Sequence, residues 1–235
     1  MVKIFNLNLW NYTNWEERKP KILESINKHN PDIITLQEVR DDPKFNKKKE
    51  NQAKILKREL NYPYHAFYAV TNKHKERPEK YKTYCIEGTA VLSKFPILKV
   101  EKIKLQKHKS DRYTCGNLQV KIKAEKVIDL IIVHFSNNDY FSLLQLIETL
   151  KDIRNKKLKP IIVGDFNIID SYVLINLTNE EYFNSFKFKK YISFPSKKET
   201  LDYILIPKKF KFKKLNCLEE NLSDHRALVA EINLA

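Results

Sequence analysis

The 235-residue chain contains only three glycines, Gly88, Gly116 and Gly164, where ordinary usage near ~7% gives about 16. Collagen-like, glycine-rich and low-complexity classes are excluded. No glycine-rich phosphate loop of the GxGxxG or GxxxxGKS/T type can be written from these residues. A glycine kept in so poor a background answers a local backbone demand that other residues cannot meet. Cysteine is scarce too. Cys85, Cys115 and Cys217 lie far apart and form no CxxC pair, which reads as reduced thiols in a cytoplasmic protein. No apolar run approaches the ~18–20 residues of a membrane-spanning helix. The chain opens as MVKIFNLNLW, directly in a strand-like pattern, without the apolar segment and small-residue cleavage site of a signal peptide.

Lysine is what the chain has in abundance. Lys+Arg number 44 against 29 Asp+Glu, a formal net charge of +15, and arginine supplies only positions 18, 40, 58, 77, 112, 154 and 226. Such an excess favours polyanionic partners through counterion release, nucleic acid first and an anionic membrane surface second. A merely solvated lysine surface, as in hyperthermophile proteins, is the alternative. At 42% hydrophobic the chain can bury a real core. No internal repeat and no Pro/Gly/Ser linker divides it, so a single domain over residues 1–235 is expected, acting as a monomer.

Strand-like runs rich in Val, Ile, Phe and Tyr cover 2–9, 32–39, 64–70, 89–93, 117–124, 127–135, 160–166, 201–206 and 227–234. Helical spacing of apolar residues predicts helices over 16–29, 46–60 and 139–155, the last capped by Asn138 or Asp139. Many strands with few helices point to an α/β sandwich of mixed sheets; a regular βα barrel needs a helix after every strand. The lysine-dense stretches 44–58, 73–82, 99–109 and 207–214 are expected in or beside connections, with 73–82 as a mobile loop.

The chemistry must come from polar residues that interrupt apolar strands. Asn8 ends one in IFNLNLW, and Gln37 and Glu38 close another in DIITLQEV. Asp165 and Asn167 in IIVGDFN lie two apart and share a face. His134 ends IIVHFS, Asp202 opens DYIL, and Asp224 and His225 precede the last strand in NLSDHRAL. Each alone reads as a turn former or helix cap; together they make a set. Carboxylates at 38, 165, 202 and 224 with amides at 8 and 167 suit a hard, oxygen-ligated cation, Mg²⁺ or Mn²⁺. Zinc fits poorly, because no cysteine or closely spaced histidine pair is present. A cation with two histidines and amide donors is what phosphodiester hydrolysis needs: charge on the non-bridging oxygens must be offset and a water deprotonated.

In their order, NLW, LQEV, EGTAVLSKFPI, HFS, GDFN, LDYIL and SDHRAL closely resemble the endonuclease/exonuclease/phosphatase superfamily, the deoxyribonuclease I-like fold, from about residue 3 to residue 233. The resemblance implies a four-layer α/β/β/α sandwich of two mixed β-sheets flanked by helices, with the site at the mouth between the sheets. It implies that Glu38 binds the metal with Asn8 in support and Asp224 on the metal side. Asp165 would orient or deprotonate the attacking water, and Asn167 and His225 would contact the phosphate. Asp202 would orient His225, and Glu87 would be the carboxylate partner of His134. Arg112 is a candidate phosphate contact. HFS and TLDYIL depart from the apurinic-endonuclease pattern. The expected activity is that of a divalent-metal-dependent phosphodiesterase, first of all a nuclease acting on DNA or RNA. A lipid head group, inositol phosphate or other small phosphorylated substrate is the alternative.

Overall fold

The computed structural model describes residues 1–47, 49–72, 85–111 and 114–234. The loop expected at 73–82 and Arg112 lie outside the described residues. The described chain forms two six-stranded sheets. The first runs in the order β11 (Lys211–Cys217), β12 (Leu228–Asn233), β1 (Val2–Asn8), β2 (Ile33–Asp41), β4 (Ile86–Ser93) and β3 (Tyr64–Asn72). The second runs β5 (Ile97–Lys104), β6 (Gly116–Lys123), β7 (Val127–His134), β8 (Ile161–Asp165), β10 (Asp202–Pro207) and β9 (Tyr182–Asn184). Each sheet has one parallel pair, β1 with β2 and β7 with β8, among antiparallel neighbours.

Period-two alternation explains the layers. On β1, Val2 and Ile4 point between the sheets with Ile33 of β2, Leu130 and Ile132 of β7, Val163 of β8 and Ile204 of β10. Phe5 and Leu7 point the other way, under α1 (Trp15–His29) and α2 (Gln52–Glu59). Ile131, Val133 and Ile162 likewise back onto α3 (Asp139–Asn155) and α4 (Ser171–Thr178). The short α5 (Ser185–Phe188) follows β9 on the chain. The result is an α/β/β/α sandwich with three apolar layers. No described helix is long and apolar enough to cross a membrane.

Helix starts follow capping chemistry. Asn138 accepts from the Phe141 N–H at α3, and Asn51 accepts from Lys54, so α2 begins at Gln52 rather than at 46. Three strands differ from expectation. Parts of the lysine-dense stretches 99–109 and 207–214 are strand, β5 and β11, not connection. Both are sheet edges, where exposed lysines block pairing with another chain. On β11 the register slips between Phe212 and Lys214, so the buried Phe212 and Leu215 lie three apart and the alternation that would reveal a strand is lost. The third, β9, is only three residues long.

Candidate active site

The face between the sheets changes character along each strand. The positions after Ile4 on β1 are Asn6 and Asn8; after Ile33 on β2, Thr35 and Gln37; after Ile132 on β7, His134; after Val163 on β8, Asp165. On β10, which runs the other way, Asp202 precedes Ile204. The register aligns these ends. His134 pairs with Asp165 across β7–β8, and Asp165 pairs with Asp202 across β8–β10. A row of titratable groups therefore crosses the mouth of the sandwich, beside a cavity of about 400 Å³.

Two backbone features make the row possible. Gly164, at φ 144°, precedes Asp165 where a Cβ would stand 2.0 Å from the Val133 carbonyl oxygen, so only glycine lets β8 pair with β7 here. On β2 the register slips between Leu36 and Val39, and Glu38 takes a left-handed φ of 51°. This bulge turns Glu38 toward the site, although its neighbour Gln37 already fills that face.

Asp165 is the hub. Its Oδ1 accepts from the Asn167 backbone N–H at 3.0 Å, and its Oδ2 accepts from Asn8 Nδ2 at 3.0 Å. The Nε2 atoms of His134 and His225 lie 3.7 and 3.8 Å from the same Oδ2. Burial pushes the Asp165 carboxyl up to about 6, with the His225 charge opposing and Asp202 adding. Behind His225, Asp202 Oδ2 stands 2.8 Å from Nδ1. Burial alone would lower the His225 pKa, but Asp202, Asp165 and Asp224 outweigh it and bring it up to about 10. His225 is thus an imidazolium through neutral pH, and its Nε2–H points at the mouth. Phe194 packs against its ring, centroids 4.8 Å apart.

On the other side of the cavity, Glu38 accepts from Asn8 Nδ2 at 3.3 Å and from Asn11 Nδ2 at 3.2 Å. Burial works against its charged form, but His134, the two asparagines and His225 more than offset that and hold the carboxyl below its usual range. Asp224 is raised, chiefly by burial, with the nearby Glu38 charge adding and His225 opposing. Two carboxylates that repel across an open cavity fit a hard divalent cation. Asp165, Asp202 and His225 also place ligand atoms within 4.8 Å of one another. That cluster fits a metal less well, because His225, its pKa brought up to about 10, is protonated on both nitrogens and offers no lone pair.

Glu38, Glu87, His134, Asp165, Asn167, Asp224 and His225 line the cavity. Asn8 and Asp202 stand fully buried behind it, at 1% and 0% exposure, each acting on groups that do line it. Asn8 turns its N–H₂ to the Glu38 and Asp165 carboxylates, and its Oδ1 accepts from the Trp10 N–H. One pairing differs from expectation. Glu87 is engaged by Arg40, 2.7 Å from Nε and 2.5 Å from Nη2, and the carboxylate that His134 faces is Asp165. The reason is register. Glu87 sits opposite Arg40 on β4–β2, while His134 sits opposite Asp165 on β7–β8.

Sequence reasoning passed over Arg18. Buried on α1, its guanidinium donates to the carbonyls of Leu9, Trp10, Asn11, Thr13 and Leu222. These belong to the segments that carry Asn8 and Asp224. Trp10, Asn11 and Asn14 all have left-handed φ, between 43° and 51°, a conformation that persists only where surroundings over-determine it. The signal was available: among few arginines, Arg18 falls in line with the buried Trp15, Ile22 and Ile26.

Two mixed six-stranded sheets packed face to face between helices, with the titratable row at their mouth, define the deoxyribonuclease I-like fold. The chain is a member of the Endonuclease/Exonuclease/phosphatase family, whose model matches residues 5–225. Members of that family hydrolyse phosphoric esters and generally depend on a divalent metal. No curated protein sequence matches the chain. Among solved structures it is similar to the human Nocturnin catalytic domain with bound sulfate, at 20% identity and a TM-score of 0.75, over 99% of this chain and 94% of that one. It is also similar to D. rerio TDP2 complexed with single strand DNA product, at 15% identity and 0.72, over 99% and 98%. A third is the mannosyl-6-phosphatase Bt3783 of Bacteroides thetaiotaomicron VPI-5482, at 16% identity and 0.71, over 99% and 100%. At these identities the likeness is one of fold.

Proposed function

We propose that the chain is a Mg²⁺- or Mn²⁺-dependent phosphodiesterase that cuts DNA or RNA, working as a single domain and a single copy. The observation that carries this reading is the convergence of two imidazoles on one buried carboxylate, Asp165, with Asp202 behind one of them. Glu38 and Asp224 would hold the cation, which when bound offsets charge on the phosphate oxygens. Asp165, its pKa raised toward neutrality, orients and deprotonates the attacking water. The His225 imidazolium donates to a non-bridging oxygen, its ring orientation fixed by Asp202. Asn167, whose Nδ2 is anchored on the Phe135 carbonyl, and His134 line the phosphate's other side. The +15 charge favours a polyanion over a small ester.

The test sets purified protein with Mg²⁺ or Mn²⁺ against plasmid, single-stranded DNA, RNA, abasic duplex, sphingomyelin and inositol phosphates. Cleavage of nucleic acid that falls steeply with salt is expected. Glu38→Ala, Asp165→Ala and His225→Ala should each abolish it without unfolding the protein, with added Mg²⁺ partly restoring the first but not the last. Turnover of a lipid or inositol phosphate with intact nucleic acid would overturn the reading.

A further inference from the structure

One large exposed apolar side chain lines the catalytic cavity, and the segments that carry it also carry two exposed tyrosines that the core does not use. Ile169, two residues beyond Asn167, lines the cavity and is 52% exposed. Its N–H donates to Asp139 Oδ1 at 3.1 Å, which ties it to the first turn of α3, where Tyr140 is 66% exposed. Three residues further along, Tyr172 is 68% exposed at the start of α4, whose N-terminus Asp170 caps through the N–H groups of Tyr172 and Val173. Lys190 Nζ lies 5.2 Å from the centre of the Tyr172 ring. The Tyr140 ring meets Phe141 edge-on at 5.5 Å. Two phenol rings are thus carried on helix starts that the catalytic loop itself braces.

Exposed large apolar side chains on segments that border a catalytic cavity mark a binding surface. We propose that Tyr140 and Tyr172 are stacking platforms for unpaired bases of a strand that leaves the cavity past Ile169, so that the substrate is single-stranded nucleic acid. This inference rests on the nuclease reading above and narrows it. A small phosphate ester does not extend to rings outside the cavity, and a duplex hides the base faces that such rings need. Tyrosine suits the role because few rotatable bonds are fixed on stacking. Lys190 over Tyr172 adds charge for the backbone, and the +15 net charge that draws in a polyanion opposes docking of a second copy.

Binding is measured by anisotropy with a labelled oligothymidylate of roughly 12 nucleotides and with its duplex, in an Asp165→Asn background with Mg²⁺. Tyr140→Ala and Tyr172→Ala are each expected to weaken single-strand binding by about five- to a hundredfold and to leave duplex binding within about twofold. Tyr172→Phe should keep the parent affinity. Val127→Ala, at an exposed apolar position at the far end of β7, should change neither. With Asp165 restored, the tyrosine variants should raise KM for the oligonucleotide more than they lower kcat. Alanine variants that bind the single strand like the parent overturn the proposal. So do equal losses for single strand and duplex, or a parent dimer that the variants dissolve. A parent that hydrolyses bis(p-nitrophenyl) phosphate but no oligonucleotide overturns the nuclease reading and this inference with it. A parent that cuts oligonucleotides while its alanine variants match it overturns the platforms alone.

Discussion

The space between the two sheets has two ends, built by the same strands in the same register. At one end β1, β2, β8 and β10 contribute Ile4, Ile33, Val163 and Ile204, all fully buried. At the other they contribute Asn8, Asp165 and Asp202, buried nearly as deeply, and the half-buried Glu38. On β1, β8 and β10 the difference is one of residue type at every second position; on β2 a bulge is also needed to bring in Glu38. An apolar end is stabilised by removing surface from water, whereas the polar end must satisfy each buried group with a partner or accept a shifted pKa. The mouth does both. Asn8 and Asn11 satisfy Glu38, and Asp165 is left partly uncompensated, with its carboxyl pushed up to about 6. Stability belongs to one end and reactivity to the other.

The sharpest test substitutes two residues on the same face of β8, two positions apart. Asp165→Asn should lower kcat by about 10²–10⁴-fold, the usual contribution of a general base. Its Tm should stay at or above the parent's, because a desolvated carboxylate beside Asp202 is removed. Val163→Ala should do the reverse. It leaves a cavity in the core and costs about 2 kcal/mol of stability, read from denaturant midpoints, with kcat per folded molecule within about twofold. If Val163→Ala depressed kcat as far as Asp165→Asn, the two ends would not be separable.

Arg18 joins the two ends, as a buried group that supports the mouth from behind. Arg18→Met would strand five carbonyls and is expected to cost about 2–4 kcal/mol. It should also raise the Mg²⁺ concentration needed for half-maximal activity, since the segments bearing Asn8 and Asp224 lose their common anchor. Arg18→Lys should recover only part of either effect, because an ammonium cannot reach so many acceptors at once. An unchanged metal requirement in a folded Arg18→Met protein would reduce Arg18 to a packing role.

Much of this was legible in the sequence, because strand alternation is a local property. The strands that meet at the mouth were visible as apolar runs ended by Asn8, Glu38, His134 and Asp165, and α1, α2 and α3 announced themselves by spacing, whereas the eight-residue α4 did not. Two kinds of feature were not legible. The edge strands β5 and β11 carry their lysines on exposed positions and, in β11, a bulge, so neither composition nor period betrays them. Pairings across sheets depend on register, which the sequence of a single strand does not contain. Glu87 could be assigned to His134 until β4 was seen to set it against Arg40. Gly164 was suggestive beside Asp165, but the reason, a carbonyl 2.0 Å from where a Cβ would be, belongs to the neighbouring strand.

The smallest of these effects concerns how the polar end contributes to stability, and it can be read without turnover. In metal-free protein held in chelator, His225 has its pKa brought up to about 10, above the ~6.5 of an unfolded histidine. A group whose folded pKa is raised binds its proton more tightly in the native state. Its contribution is therefore complete below about pH 6.5 and is lost as pH rises toward about 10. Asp202→Asn removes the nearest source of that rise, while burial, which lowers the pKa, remains. Urea midpoints taken between pH 6 and pH 10 should fall with pH more steeply in the parent than in Asp202→Asn. The two curves should converge at the alkaline end. Parallel curves would mean that His225 is neutral in the folded protein, and that the row at the mouth holds its charge on Asp165 and Asp202 alone.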